Sequence, residues 1–340
     1  MVILTNCLSR TADEGCIKVA NSLINRIKKT QPETVIVSYE RASDISNEHL
    51  KLNKFLFSIR LFRFLKKHKQ PLLYIPFPSK TVSMAVRVLV LSLFTYEKIN
   101  VVLSMNGRFN LLSEIILKLC RANFYVLSHD AYGNCKKVVG SSRCHMLKTG
   151  IDTERFVPVD KEKSDFLKHK YGLDKNKPVI LHAGHMKKGR NLSELLKISP
   201  EYQILLLTST LTKDEQDSEL KKRLSERNNI RIIDEFIPDV EEIYQLSDVY
   251  FFPVVEEGNC IDVPLSCLEA ASCNKPIVTT DFGEMKSFKD KNGFWFIGSF
   301  EEKNINSLIN EALNSKNVET RSAITDYDWN KSVGYLISNI

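Results

Sequence analysis

Short apolar runs, most of four to six residues, recur along nearly the whole 340-residue chain, separated by stretches with helical spacing. That alternation admits few folds. Strands that are apolar throughout are buried on both faces. The helices between them must cross over the sheet, so the strands run parallel. In the first half the runs predict strands over residues 2–5, 34–38, 72–75, 100–104 and 123–127, with helices near 16–29, 55–68, 80–95 and 110–121. Residues 151–178 are rich in Asp, Lys and Glu, hold one short helical stretch, and read as a connection. The alternation then restarts with a strand over 179–184 that ends in Gly184. A helix near 190–198 and strands over 204–207, 230–233, 249–252 and 276–279 follow. Trp329, Val333, Leu336 and Ile337 recur at helical spacing in the tail. The length suits two domains of roughly 150–190 residues rather than one core. The expected architecture is α/β, with two Rossmann-like, doubly wound parallel-sheet domains over 1–155 and 156–325. A C-terminal helix over 326–340 is expected to pack back toward the first domain. Sheets of this kind bind ligands at the carboxyl ends of their strands, where the strand order reverses. Two facing units would make a cleft, and the loops at those strand ends must carry the chemistry.

Composition narrows the setting. No run reaches the roughly 18–20 apolar residues that cross a bilayer; residues 85–94 fall short and are interrupted by Arg87. The first residues lack a basic region and a cleavage site, so no secretory signal is read. The eight cysteines form no C-x-x-C pair or finger-like spacing with histidines. They read as reduced thiols of a cytoplasmic protein, and no metal site is expected. The net charge of +7 hides an asymmetry: residues 1–160 hold 24 Lys and Arg against 12 Asp and Glu, the remainder 24 against 29. A basic first half suits a polyanion, either nucleic acid or an acidic membrane surface. Nucleic acid is not expected, because no binding motif or aromatic-basic interleaving on strands accompanies the charge. Residues 55–69 combine apolar residues with Arg60, Arg63, Lys66, Lys67 and Lys69. They read either as an interfacial helix resting on anionic lipid or as a core-facing helix with a basic edge.

Four loops are candidates for chemistry. Gly184-His185-Met186-Lys187-Lys188-Gly189-Arg190-Asn191 leaves a strand and enters the helix expected near 190. It reads as a phosphate site, with a helix N-terminus and cations on one turn, or as a solvated basic turn. The loop from Pro253 to Ala270 follows another strand. In it Pro264 suits the first turn of a helix running to about Ser272, whose leading amides, with Leu265 and Ser266, would face a diphosphate. Glu269 on that helix could accept both hydroxyls of a ribose or simply face solvent. Residues 9–16 hold Gly15 in a turn that is not a G-x-G-x-x-G fingerprint. Ser128-His129-Asp130 lies just past a strand end, where His129 is either structural or aimed at a ligand.

Together these loops resemble glycosyltransferase family 4, whose members are retaining enzymes of the GT-B fold. Thr149-Gly150-Ile151-Asp152 through Phe156 and Pro158 is similar to the family's N-G-V-D-x-x-x-F-x-P. Ser247-Asp248-Val249 through Pro253 is similar to its A-D-V-x-x-x-P, and Pro264-Leu265-Ser266-Cys267-Leu268-Glu269-Ala270 with Lys275-Pro276-Ile277-Val278 to its P-L-S-x-L-E-A and P-V-V. The resemblance implies a nucleotide-sugar donor on the second domain. Gly184 matches the first glycine of the family's G-R-x-x-x-x-K-G, His185 stands at its Arg, and Arg190 at its Lys. Glu269 matches the glutamate that holds the ribose. The first family glutamate should fall at Ile261, so either Asp262 substitutes from the next position or Glu257 is the counterpart before a four-residue insertion. The spacing from Pro253 favours Glu257. His129 matches a histidine aimed at the donor sugar, and Gly15 remains of a Gly-Gly turn. Lys188, Arg190 and the amides after Pro264 would stabilise the leaving diphosphate. No D-x-D-like metal pair is evident where one would be needed, so neither an obligatory metal nor another cofactor is expected. The implied acceptor is a saccharide or lipid-linked saccharide of cell-envelope or surface polysaccharide synthesis. A non-catalytic nucleotide-sugar-binding relative is the alternative, motivated by His185 and Ile261.

Overall fold

The computed structural model describes residues 1–9, 15–40, 43–95, 99–105, 107–208, 217–256 and 260–340. They form two compact units, Met1–Gly150 with Trp329–Ile340, and Ile151–Asp328.

The first unit runs β1 (Val2–Thr5), α1 (Gly15–Thr30), β2 (Val35–Tyr39), β3 (Glu48–Leu50), α2 (Ile59–His68), β4 (Leu72–Ile75), α3 (Val82–Phe94), β5 (Ile99–Leu103), α4 (Leu111–Leu119), β6 (Ala122–Val126), α5 (His129–Val139) and β7 (Cys144–Met146). Its sheet has the order β3-β2-β1-β4-β5-β6-β7, parallel at every pairing. The apolar runs become strands because both faces are covered: every residue of β1, β4 and β5 is buried. Helices α2 to α5 share one core with the sheet. Each opens on a side-chain cap, from Ser58, Thr81, Asn110 and Ser128, that satisfies an otherwise orphaned amide.

Helix α2 starts four residues later than the sequence pattern predicts. Asn53 explains the delay. Its Oδ1 accepts the amides of Phe55 and Phe57 at 3.0 Å, its Nδ2 donates to the Phe57 carbonyl, and Leu56 takes a left-handed φ of 60°. That tight turn excludes helix until Ser58.

The second unit runs α6 (Lys161–Lys170), β8 (Val179–Gly184), β9 (Gln203–Thr208), α7 (Ser218–Ser225), β10 (Ile230–Ile233), α8 (Glu241–Leu246), β11 (Val249–Phe252), α9 (Leu265–Ser272), β12 (Ile277–Thr279), β13 (Phe294–Phe296), α10 (Glu302–Asn314) and α11 (Thr320–Ala323). Its sheet order is β10-β9-β8-β11-β12-β13, again all parallel. The segment read as a connection is part of this unit. Helix α6 packs on α8, Lys168 pairs with Asp248 at 2.7 Å, and Lys170 and Tyr171 both bond to Glu242.

The helix expected near 190–198 is instead two 3₁₀ turns, Lys188–Arg190 and Leu192–Lys197. Asn191 between them has φ 57°, in the left-handed region that a continuous α-helix excludes.

The chain re-enters the first unit as α12 (Trp329–Ser338), which packs on α1. At the crossing the Ile151 amide donates to the Tyr327 carbonyl at 2.9 Å, and Ile151 bridges to Asp328. Gly150 permits this approach, since a Cβ there would lie 2.6 Å from the Trp329 Cα. Backbone cannot yield as a side chain can. Gly150→Ala is expected to cost about 1–3 kcal/mol and to lower the unfolding temperature by several degrees in calorimetry. An unchanged transition would contradict the close approach.

Candidate functional site

In the second sheet β8 lies between β9 and β11, so the strand order reverses beside β8. The loops leaving the carboxyl ends of β8, β11 and β12 converge there, the usual place for a ligand in such a sheet. Short contacts fix them to one another. Asn191 Nδ2 donates to the Pro253 carbonyl at 3.3 Å, tying the first loop to the second. Thr280 Oγ1 donates to the Val254 carbonyl, and the Glu284 amide donates to the Asp262 carbonyl at 2.8 Å, tying the second to the third. Gly283 makes the last contact possible. Its φ is +51°, and a Cβ there would overlap the Asp262 carbonyl.

Arg190 is the unusual group of this site. Its side chain is 5% exposed, and Nε is buried without a hydrogen-bond partner. No ion pair is made by Arg190 among the described residues. Gly184 leaves the room it occupies, since a Cβ there would stand 2.9 Å from a guanidinium nitrogen. The described neighbours of Arg190 include a neutral histidine and two thiols. His182, stacked between Tyr250 and Phe252, donates from Nδ1 to the Phe251 carbonyl at 2.8 Å, and its Nε2 has no partner. Burial, opposed by that backbone bond and helped by the Arg190 charge, pushes its pKa down to about 3. Burial pushes the Cys260 thiol up and holds the Cys267 thiol well above its usual range, with Arg190 opposing both rises. A buried cation that no described anion neutralises carries a desolvation cost that an opposite charge would offset.

Helix α9 adds donors. Pro264 is its N-cap rather than a residue of its first turn, and the Pro264 carbonyl accepts the amides of Cys267 and Leu268. The amides of Leu265 and Ser266 find no acceptor among the described residues. One turn further on, Glu269 is buried at 3% exposure rather than solvent-facing. Its Oε2 accepts the Tyr244 hydroxyl at 2.5 Å. Tyr244 is itself buried, edge-on to Phe156 and stacked on Tyr250. Burial and the Glu269 charge drive its phenol pKa far up, so it stays a hydrogen-bond donor. The sequence does not reveal Tyr244: it lies 25 residues before Glu269 with no motif joining them.

The other sequence candidates fall as follows. Asp262 and His185 are buried in the second unit, and Lys188 is exposed at the start of its 3₁₀ turn. Glu257, favoured as the counterpart of the first family glutamate, lies outside the described residues. Most of the loop over 9–16 does too; Gly15 is the first residue of α1. His129 is exposed on the first turn of α5 in the first unit. Among the described residues no cluster of three or more His, Cys, Asp or Glu side chains could hold a metal ion, and no helix is long and apolar enough to cross a membrane. A groove of about 730 Å³ opens at the opposite, amino edge of the second sheet, lined in part by Lys168, Tyr202, Asp248 and Lys275. Its buried cations are already satisfied, Lys168 by Asp248 and Lys275 by the Gln245 carbonyl at 2.7 Å, so it lacks the unmet charge of the Arg190 site.

Residues 177–315 match the family model described as Glycosyl transferases group 1. That span covers most of the second unit. Its matched span holds Gly184, Arg190, Asp262 and Glu269. Among curated proteins, the alpha-maltose-1-phosphate synthase of Mycolicibacterium smegmatis is 24% identical over 153 residues, 42% of this chain and 38% of its own length. The match therefore spans well under half of that relative. Two solved structures resemble the whole chain. A glycosyltransferase from Rickettsia africae covers 99% of this chain and 97% of its own with a TM-score of 0.77 at 12% identity. Anabaena HepE in complex with UDP-glucose covers all of both chains with a TM-score of 0.76 at 12% identity. The fold is thus α/β of the GT-B type, with two parallel sheets of seven and six strands.

The buried His182 of this unit gives stability an acid limit. Its folded pKa, about 3, lies below the ordinary 6.5. Its contribution is complete above pH 6.5 and is lost as the unfolded chain takes up the proton, at up to about 1.4 kcal/mol per pH unit. Urea unfolding of the wild type is expected to weaken by roughly 2–3 kcal/mol through this residue between pH 6.5 and 4.5. His182→Gln should remove that part of the slope; equal slopes in the two proteins would contradict the assignment.

Proposed function

We propose that the chain is a glycosyltransferase that moves a sugar from a nucleoside diphosphate sugar to an acceptor hydroxyl with retention at the anomeric carbon. The acceptor is a saccharide or a lipid-linked saccharide, and the setting is cell-envelope or surface polysaccharide synthesis. The observation that carries the reading is the Arg190 guanidinium, buried without an ion pair among the described residues at the strand-order reversal of a unit that matches the glycosyl transferases group 1 model. The donor diphosphate supplies the absent charge. The UDP-glucose bound by the HepE relative is a ligand of this class.

The roles follow from the placement of each group. Arg190 and the free amides of Leu265 and Ser266 take the diphosphate oxygens, with Lys188 adding charge from solvent. Glu269, one oxygen held by Tyr244, accepts the ribose hydroxyls. As the bond from the anomeric carbon to the diphosphate breaks, negative charge grows on the leaving oxygen, where fixed donors in a water-poor site are most effective. The acceptor oxygen bonds to the anomeric carbon on the same face, and its proton passes to the departing phosphate. Asp262, buried at 7% exposure beside the α9 N-cap, is the described carboxylate nearest in sequence to the position of the family's first glutamate. His185 and Ile261, at positions where the family has Arg and Glu, motivate the second reading, a relative that binds the donor without turnover.

The test is a thermal-shift panel of UDP-, GDP- and ADP-sugars with nucleotide release measured in parallel. One donor class is expected to stabilise the protein by about 2.7 kcal/mol at a hundred times its dissociation constant. Arg190→Ala should lower turnover by about 10²–10³-fold, and Glu269→Ala should abolish the shift. A shift without release, even with membrane extract as acceptor, supports the non-catalytic reading. No shift with any donor would remove the basis of the proposal.

A further inference from the structure

Among the described residues, nine of the thirteen exposed large hydrophobic side chains lie on one helical layer of the first unit, on α2 and the turn before it, α3 and α4. Helix α4 turns a stripe outward: Leu111 is 74% exposed, Leu112 55%, Ile115 50% and Leu119 70%. Its opposite side, Ser113 and Leu117, is buried in the core. Helix α3, which packs against α4, ends in Leu93 and Phe94, exposed by 69% and 41%. Phe94 stacks on Phe62 of α2 at 3.7 Å and meets Phe57 edge-on at 6.0 Å, so the apolar surface continues to the start of α2. Contiguous apolar area of this kind is uncommon on a face left to water.

The charge around the patch says what covers it. The described segments that carry it, residues 51–69, 82–95 and 107–121, hold one acid, Glu114, against ten exposed Lys and Arg. Arg60, Arg63, Lys66, Lys67, Lys69 and Lys118 are among them, and none has an ion-pair or hydrogen-bond partner among the described residues. The bias extends to the whole first unit, with 24 Lys and Arg against 9 Asp and Glu, where the second unit has 24 against 32.

We propose that this face docks on an anionic lipid bilayer. The leucines of α4 and the α3 terminus enter the headgroup–acyl boundary, and the surrounding cations meet lipid phosphates. A second copy of the chain would oppose its own positive charge across the same face. Nucleic acid would gain nothing from aliphatic side chains that cannot stack on bases. The segment 55–69 supplies only part of this surface. Its helix buries Leu61 and Leu65, and the α4 stripe, not α2, provides most of the insertable area. The proposal goes beyond the donor site and does not depend on it.

The experiment is co-sedimentation with phosphatidylcholine vesicles, with and without phosphatidylglycerol, over a range of salt. The wild-type protein is expected to bind the anionic vesicles at least tenfold more tightly than the neutral ones. The double variant Leu111→Ser/Leu119→Ser should lose at least tenfold in that binding. The triple variant Lys66→Glu/Lys67→Glu/Lys69→Glu should lose as much and should also lose most of the salt dependence. Lys161→Glu/Lys163→Glu, on α6 of the second unit, should bind as the wild type does. All substituted side chains are exposed, so unfolding temperatures should stay within a few degrees, and calorimetry on each variant checks this. No binding of the wild type to anionic vesicles overturns the proposal, as does binding that the leucine variant leaves unchanged. Sedimentation showing a dimer that the leucine variant dissociates, without vesicle binding, assigns the face to a protein partner instead.

Discussion

Taking a guanidinium out of water costs several kcal/mol unless charge or hydrogen bonds replace its hydration, and much of the second unit is arranged around one whose buried Nε has no hydrogen-bond partner and which makes no ion pair among the described residues. Arg190 is held in place by groups that cannot relieve it. His182 is kept neutral by burial, the thiols of Cys260 and Cys267 are kept protonated, and Asn191 closes its turn onto the Pro253 carbonyl. The stacked Tyr250 and Tyr244, with Phe156 edge-on to Tyr244, fill the space toward Glu269, and the Tyr244 hydroxyl fixes that carboxylate. The surrounding strands β8, β11 and β12 are buried almost throughout, so the loops have little freedom to fold inward and neutralise the cation. The free energy that holds this arrangement comes from the sheet, and the arrangement is complete before any anion arrives.

The parts of this structure that the sequence reveals are those set by repeating local physics. Strands of four to six mostly apolar residues stand out in the sequence, so β1, β4, β8, β11 and even the edge strand β10, with its exposed Arg231, are legible to their end residues. The strands β3, β7 and β13 are not. Each is three residues long, β3 and β7 are half polar, and each pairs on one side only, at a sheet edge. The position of Arg190 after Gly184 is legible as a basic turn, but its burial is not. That burial depends on Asn191 in a left-handed conformation, which ends the turn that periodicity reads as helix. The Tyr244–Glu269 pair and the Gly283–Asp262 approach join residues more than twenty positions apart, and no local pattern records such contacts.

The two units also divide the electrostatics of the chain. A basic first unit and an acidic second unit cannot be inferred from the modest net charge, which conceals both. Within the acidic unit Lys168 is paired with Asp248, whereas the buried Arg190 makes no ion pair among the described residues. Anions are disfavoured over the unit's surface generally and favoured at one point. Within the basic unit the positive charge is spread around aliphatic side chains and favours an extended anionic surface over a small ligand.

The double crossing at Ile151 and Asp328 has a consequence for biogenesis. The second unit is one uninterrupted segment, whereas the first is completed by α12, whose residues come after all of the second. During synthesis the first seven strands leave the ribosome long before the helix that covers α1. From the end of the seventh strand at Met146, nearly two hundred residues of translation pass before α12 is complete and can pack on α1. At about 5–20 residues per second that delay is of the order of ten to forty seconds. The second unit is therefore complete in sequence before the first, although most of it is encoded later, and the arrival of α12 is the step that finishes the first unit.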